Sequence, residues 1–172
     1  MDIKETIATI NQMQTDAVIG PYAIGGAVAA NFYPVDPVDT QDLDVFVALE
    51  PPSGQSLVSL TPLYDYLQTR GCQQDAKGDI VISGWPVQFL PVGGDALLEE
   101  ALKRSVEKDL DGVPVRVFTI EHLAAIAFKV GRPKDKRRLE QFLEANVLKE
   151  PIFSDILRRH GLLDRWLASR GR

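Results

Sequence analysis

The stretch "TQDLDVFV" (residues 40–47) places two aspartates one residue apart in a segment typical of a buried strand. Side chains on a strand point alternately to its two faces, so Asp42 and Asp44 share one face while Leu43 and Val45 lie on the other. Two like charges held this close destabilise each other unless a positive group lies between them, and a divalent cation meets that need. The pattern predicts a metal site. The alternative is a frayed strand end on which both carboxylates are solvated.

A second segment, "YAIGGAVAANFY" (residues 22–33), begins as a short apolar strand, meets Gly25 and Gly26, and continues as helix-forming sequence. The free amides and positive dipole end of a helix N-terminus attract phosphate, and glycines let a phosphate approach closely. The same glycines would equally allow tight packing of the helix on the sheet. Asp42 follows Gly26 by 16 residues. The combination predicts a phosphate cradle beside two metal-binding acids, which are the parts that nucleotidyl transfer requires.

The composition is that of an ordinary globular chain. It has 172 residues, 45% hydrophobic and 25% charged, which is enough for one domain with a proper core. No apolar run approaches the roughly 20 residues of a membrane span, and the start "MDIKETIATI" lacks a signal-peptide pattern, so we expect a cytoplasmic protein with no membrane partner. With one cysteine (Cys72) and two histidines (His122 and His160), a zinc site is not expected, and any metal should be bound by oxygen.

Charge is unevenly distributed along the chain. Residues 1–128 hold 7 basic and 18 acidic side chains, a net charge of −11, whereas residues 129–172 hold 12 and 6, a net charge of +6. The basic third is either the solvated face of terminal helices or a surface that receives phosphate. The P-loop and dinucleotide-binding glycine motifs are missing from the sequence, and neither histidine lies near an obvious nucleophile, which argues against those classes and against a catalytic triad.

Periodicity and turn residues predict the order of elements. Strands are expected at the start of residues 22–33, at 42–47, in a hairpin over 79–92 that turns at Ser83 and Gly84, and at 113–118; residues 49–56 are expected to form a loop. Helices are expected at 2–14, 27–32, 61–71 with Thr61 as its cap, 95–106, 120–130 and 133–145, followed by a helical region from Pro151 that Gly161 divides. This order predicts an α/β (α+β) fold: a small mixed sheet flanked by helices over residues 1–118, with a helical C-terminal portion, residues 119–172, packed on it as one unit.

Two segments carry a resemblance to a known family. "IGGAVAANFY" followed by "TQDLDVFV" resembles the signature of the nucleotidyltransferase superfamily, a glycine pair followed after a short helix by D-x-D on a strand. "RVFTIEHLAAIAFKVGRPKDKRRLEQFL" is similar to the minimal nucleotidyltransferases of the AbiEii-like group, in which a lysine-bearing helix precedes an Arg, Lys and Asp cluster. Together the segments extend from residue 22 to about residue 143.

The resemblance implies a role for each matching residue. Gly25 and Gly26 would hold the β- and γ-phosphates of a nucleoside triphosphate, Asp42 and Asp44 would bind Mg²⁺ (or Mn²⁺), and Lys129 would neutralise phosphate charge. It implies that Thr40, Arg132 and Lys134 also contact the nucleotide and that Asp135 orients a lysine or the incoming acceptor. Two alternatives are purely structural: Lys129 extends into solvent from a helix end, and Asp135 forms a surface ion pair with Lys134 and Arg138.

One position departs from the family pattern. Members with three catalytic carboxylates take the third from a later strand, which "PVQFLP" (residues 86–91) matches, and Gln88 stands at that position. A glutamine can bind a cation through its carbonyl oxygen but adds no charge and is a poor base. Two functions therefore stay open: an enzyme that transfers a nucleoside monophosphate to a hydroxyl of RNA, a protein or a small molecule, or a catalytically silent binding module such as one component of a toxin–antitoxin pair.

Overall fold

The computed structural model describes residues 1–51 and 57–171. Within those residues the chain forms eight helices and seven strands. The helices are α1 (Ile3–Thr15), α2 (Gly26–Ala30), α3 (Thr61–Gln68), α4 (Ala96–Lys103), α5 (Ile120–Val130), α6 (Pro133–Glu144), α7 (Glu150–Arg159) and α8 (Leu163–Arg170). The strands are β1 (Tyr22–Ile24), β2 (Leu43–Val47), β3 (Gln73–Gln74), β4 (Ile80–Ile82), β5 (Trp85–Pro91), β6 (Val106–Leu110) and β7 (Val113–Val117). None of the described helices is both long and apolar enough to cross a membrane.

The strands form one mixed sheet in the order β3-β4-β5-β2-β1-β7-β6. β2 pairs with β5 in parallel and with β1 antiparallel, and β1 pairs with β7 in parallel. The two hairpins, β4–β5 and β6–β7, extend the sheet on either side. The predicted α/β (α+β) fold with a small mixed sheet and flanking helices is confirmed, and β2, which contains Asp44 and directly follows Asp42, lies at the centre of the sheet.

β2 shows the alternation that the sequence predicts. Leu43, Val45 and Val47 are completely buried on one face of the sheet, while Asp44 and Phe46 are only partly buried on the other. Alternation of this kind is expected of a strand with one face in the core. The face that carries Asp44 is therefore available for a site between the sheet and the helices that cover it.

The helices α5 and α6 cover that face, and their ends are set by local chemistry. The Thr119 side chain accepts a hydrogen bond from the His122 backbone N–H at the start of α5, and Gly131 ends the helix in the left-handed conformation, at φ +68°. Pro133 occupies the first turn of α6, where a missing N–H costs nothing. The predicted helices over 120–130 and 133–145 are confirmed to within one residue.

Several predicted boundaries are wrong. The helix predicted over 95–106 ends at Lys103, and the edge strands β3 and β6 were not expected. α2 ends at Ala30 rather than residue 32, and α3 has Leu60 as its N-cap with no side-chain hydrogen bond, so Thr61 does not cap it. The loop predicted over 49–56 falls mostly on residues 52–56, which lie outside the described residues.

Candidate functional site

The two aspartates lie at and just before the start of β2. Asp44 is directly opposite Gln88 in the parallel pairing of β2 and β5, so both side chains emerge on the same face of the sheet. Asp42 precedes the strand, and its carboxylate Oδ1 accepts a hydrogen bond of 2.8 Å from the Thr40 hydroxyl. Thr40 thus contacts an acid of the pair directly. Thr40 and Asp42 line one cavity and Gln88 lines another, and Asp44 lines both.

The glycine bend packs directly against these acids. The backbone N–H of Gly25 donates to the carbonyl oxygen of Asp44 at 3.0 Å. A Cβ added to Gly26, which has φ +60°, would lie 2.0 Å from Asp44 Oδ2, and one added to Gly25 would lie 2.3 Å from the ring of Phe46. Both positions therefore require glycine for packing, as the structural alternative held. The same contacts place the first turn of α2 beside the Asp44 carboxylate.

Two adjoining cavities open on this cluster. One, of 160 Å³, is lined by Gly26, Asp44 and Gln88 from the sheet side and by residues of α5 and α6. The other, of 380 Å³, is lined by Thr40, Asp42 and Asp44. Lys134 and Arg138 of α6 line both cavities. Acids from the sheet and cations from the helix therefore face one space.

The acids and cations affect each other without forming ion pairs. Burial, and then the neighbouring charge of Asp42, raise the pKa of Asp44 above its ordinary value, while Lys134, Arg138 and Arg132 act in the opposite direction. Within the described residues, no Lys or Arg forms a salt bridge with Asp42 or Asp44. The carboxylates are not neutralised by direct contacts, and the space between the charges stays open.

Arg138 is the site residue that sequence reasoning missed. Its Nε atom is buried and has no hydrogen-bond partner among the described residues, and burial lowers the pKa of its guanidinium. An unpaired buried N–H costs about 1–3 kcal/mol, which an incoming acceptor would offset. Its spacing from Lys134 was the available signal, because residues four apart share one face of a helix.

Arg132 and Asp135 bind each other at the start of α6. Asp135 is 3% exposed, and its carboxylate accepts from the Arg132 Nε at 2.7 Å and from the Arg132 backbone N–H at 3.3 Å. Both residues line the smaller cavity. The ion partner of Asp135 is Arg132, not Lys134 or Arg138 as the structural alternative had it. In this structure Asp135 holds Arg132 and the first turn of α6 in place.

Lys129 is not brought to this cluster. Its Nζ lies 2.7 Å from the Asp95 carboxylate, which also accepts hydrogen bonds from the first backbone amides of α4. Lys129 lines a separate groove beside Trp166 rather than either cavity at Asp44. The contact expected between Lys129 and phosphate has no support in this geometry.

The donor set fits a hard divalent cation. It consists of two carboxylates, Asp42 and Asp44, and the amide oxygen of Gln88, and oxygen ligands of this kind suit Mg²⁺ or Mn²⁺. No group of three His, Cys, Asp or Glu side chains that could hold a metal ion occurs in the described part of the chain. A cation here would need further oxygen ligands from a bound phosphate or water.

Comparisons with known proteins bear on the fold. No protein-family model matches the sequence, and a search of curated proteins gave no match. The solution structure of the antibiotic-resistance factor ANT(2'')-Ia is similar, with a TM-score of 0.58, 18% identity and coverage of 99% of this chain and 97% of that chain. A crystal structure of an antigenic nucleotidyltransferase-like protein from Paracoccidioides brasiliensis is similar with a TM-score of 0.52, 13% identity and coverage of 83% and 74%. The chain has a nucleotidyltransferase-like fold.

Proposed function

We propose that this protein is a nucleotidyltransferase that binds a nucleoside triphosphate with Mg²⁺ (or Mn²⁺) and transfers a nucleoside monophosphate to a hydroxyl group. The acceptor would be an RNA end, a protein side chain or a small molecule. The fold and the two sequence motifs support the reaction class, and the cavities at Asp44 support the site.

One observation carries the proposal: Asp42 and Asp44 line one cavity with Lys134 and Arg138 of α6, and no salt bridge joins these acids to these cations in the described chain. Charges that only stabilise a fold normally form close pairs where they are buried, because an unpaired buried charge is costly. This cost applies here to Asp44 and Arg138, which are both partly buried. A cation would bind next to the acids, and a polyphosphate would bind between this cation and the side chains of Lys134 and Arg138. Each charge of the ligand would then face the opposite charge on the protein.

The residues would divide the work as follows. Asp42, Asp44 and Gln88 would hold the metal ion, which supplies positive charge to the phosphate oxygens when bound. Lys134 and Arg138 would bind phosphate oxygens, and the bend at Gly25 and Gly26 would let the phosphate chain approach the sheet. The acceptor hydroxyl would attack the α-phosphorus in line, and pyrophosphate would leave. The P–O bond to the acceptor forms as the bond to pyrophosphate breaks, and the hydroxyl proton passes to solvent or a base.

A second candidate rests on Gln88. With a neutral amide where related enzymes have a third carboxylate, the chain would bind nucleotide or a protein partner without transfer. In that case it would act as a silent interaction module, for instance in a pair with an antitoxin-type protein. The neutral side chain of Gln88 is the observation that supports this version, and in both versions we place the protein in the cytoplasm.

Titration calorimetry with each NTP and Mg²⁺ tests the site. Replacing both acids, Asp42→Ala with Asp44→Ala, should weaken binding of the Mg²⁺–NTP complex by about 100-fold or more, because both charged metal ligands are removed. The matched control, Asp36→Ala with Asp65→Ala, removes two exposed acids elsewhere and should bind like the original protein. Equal binding by the Asp42 and Asp44 variant, or no binding by the original protein, would contradict the proposal.

The same variant should behave oppositely without metal. In EDTA, tripolyphosphate meets Lys134 and Arg138 but is repelled by the two carboxylates, so their removal should strengthen its binding by about 3- to 10-fold. Weaker binding of tripolyphosphate to the variant would mean that the acids and cations do not share one ligand.

Transfer itself is tested by incubation of labelled NTPs with total RNA and with cell lysate. If the protein is an enzyme, label should appear on an RNA, protein or small-molecule fraction. This label should be absent when the Asp42 and Asp44 variant is used. Tight NTP binding with no label in any fraction would favour the silent module.

A further inference from the structure

The side chain of Gln88 has a defined neighbour on the side away from Asp44. Its amide Nε2 donates a hydrogen bond to Asp79 Oδ2 at 3.3 Å. Among the described residues, this is the hydrogen bond that the Gln88 side chain makes. The amide group of a glutamine has one end that donates and one that accepts, so engaging Nε2 determines where Oε1 points.

Strand pairing explains why these three side chains form a row. Asp44 is opposite Gln88 across the parallel pair β2–β5, and Ile80 is opposite Val87 across the antiparallel pair β4–β5. Asp79, which precedes Ile80, therefore extends the same row on the far side of Gln88. The order across the sheet is Asp44, Gln88, Asp79.

The turn that carries Asp79 is held by its own hydrogen bonds. The Asp75 carboxylate accepts from the backbone N–H groups of Lys77 at 2.8 Å and Asp79 at 3.0 Å, and the Asp75 N–H donates to the Asp79 carbonyl oxygen at 2.8 Å. The Asp79 backbone is therefore held in place by the turn itself. A residue that orients another side chain must be fixed in this way.

Asp79 is too far from Asp44 to bind the same cation directly. Adjacent strands lie about 4.8 Å apart, so residues two strands apart are separated by roughly 10 Å, whereas Mg²⁺ lies about 2.1 Å from each ligand oxygen. Any effect of Asp79 on a cation at Asp44 must pass through Gln88 or through long-range charge.

We infer that Asp79 is a positioning residue: it holds the Gln88 amide nitrogen so that the carbonyl oxygen Oε1 faces Asp44 and the cation. The inference rests on the proposed function, because it assigns a device to the same site. Asp79 compensates in part for the missing third carboxylate, since a fixed neutral oxygen is a better ligand than one that rotates freely.

A double-mutant cycle on Mn²⁺ binding tests this, with free Mn²⁺ counted by electron paramagnetic resonance in the presence of a nonhydrolysable NTP. Gln88→Ala, which removes a proposed ligand, and Asp79→Ala, which removes the partner that orients this ligand, should each weaken Mn²⁺ binding by about 10-fold. The double variant should bind within about 2-fold of Gln88→Ala alone, because Asp79 then has nothing to orient. Losses that multiply, or no loss in Asp79→Ala, would overturn the inference.

Two further variants separate orientation from charge. Asp79→Asn keeps an acceptor oxygen for Gln88 and should stay within about 3-fold of the original affinity, and Asp65→Ala, an exposed acid on α3, should have no effect. Equal losses in Asp79→Asn and Asp79→Ala would show that charge alone acts. Thermal unfolding confirms that each variant is folded. If the original protein binds no Mn²⁺–NTP complex, the proposed function fails as well; if it binds and is insensitive to Asp79, only this inference fails.

Discussion

Two charge clusters in this molecule are built from similar residues but differ in how those residues are paired. In the first, Glu100 accepts hydrogen bonds from His122 at 3.1 Å, from His160 at 2.8 Å and from Arg159, which also contacts Asp155. The second is the cluster of Asp42 and Asp44 with Lys134 and Arg138 of α6, among which no salt bridge forms in the described chain; Arg132, at the start of the helix, is paired with Asp135. We call the first the saturated cluster, because Glu100 has several direct charged or ring N–H partners. We call the second the unsaturated cluster, because Asp42 and Asp44 have no Lys or Arg in direct contact among the described residues.

The difference separates charge that is paired within the fold from charge that stays available to a ligand. Hydrogen bonding by Arg159, with further bonds from His160 and His122, holds the pKa of Glu100 at about 2, so the carboxylate joins α4, α5 and α7 as a permanent anion. At the other cluster burial and the charge of Asp42 raise the pKa of Asp44, and the opposing effect of Lys134, Arg138 and Arg132 compensates this only in part. Perturbation in this direction, inside a cavity, is typical of ligand sites.

The largest expected effect comes from breaking the saturated cluster. Glu100→Ala should lower the free energy of unfolding by about 2 kcal/mol, because it leaves the ring N–H of the buried His122 without its acceptor, while the more exposed Arg159 keeps Asp155 as a partner. Denaturant titration measures the loss, and calorimetry should show unchanged NTP binding by the folded variant. Glu144→Ala, an exposed acid of α6, is the control and should change stability by less than about 0.5 kcal/mol. A stable Glu100→Ala protein would contradict the structural role.

Acid should weaken the same cluster progressively. The pKa of Glu100 is about 2 in the folded chain against an ordinary value of 4.5, so the folded state binds fewer protons than the unfolded state between those values. Stability should therefore fall as pH falls from about 4.5 to about 2. The free energy of unfolding, measured at several pH values in this range, should depend less on pH for Glu100→Gln than for the original protein. An identical pH dependence in both would show that Glu100 does not hold the anionic contacts described.

The smallest effect on stability is expected at the unsaturated cluster. Arg138→Met should leave the free energy of unfolding unchanged or raise it by up to about 1 kcal/mol, because a buried unpaired N–H is removed. The same change should weaken Mg²⁺–NTP binding by about 10- to 100-fold, the value of a hydrogen bond to a charged group. Lys136→Met, which removes the same charge from the other side of α6, is the control. A destabilised Arg138→Met protein with normal binding would erase the distinction between the clusters.

Local chemistry explains which parts of the fold could be predicted. The ends of α5 and α6 follow from Thr119, Gly131 and Pro133, whose effects act within one turn. β6 was missed because Val106–Leu110 is an edge strand with mostly exposed, charged side chains and no apolar alternation. Because the strand β6 was not recognised, the helix predicted over 95–106 was extended as far as Val106, the first residue of that strand.

The site was predictable only where a motif is contiguous. Asp42, Asp44 and the glycine bend are joined by direct strand pairing, so short spacing in the sequence was enough to find them. Arg138 and Lys129 depend on how α5 and α6 rotate about their axes against the sheet, which is decided by packing across the whole core. Asp79 reaches Gln88 through the β4–β5 hairpin register; the predicted turn at Ser83 and Gly84 implies this register, but Asp79 belongs to no motif that marks it as part of the site.

The close approach of Gly26 to Asp44 restricts what can replace this glycine. Its backbone has φ +60°, a conformation that favours glycine, and an added Cβ would lie 2.0 Å from Asp44 Oδ2. Any other residue at position 26 would therefore have to change the bend or displace the Asp44 carboxylate. The place of one acid thus dictates the identity of a residue that has no side chain of its own.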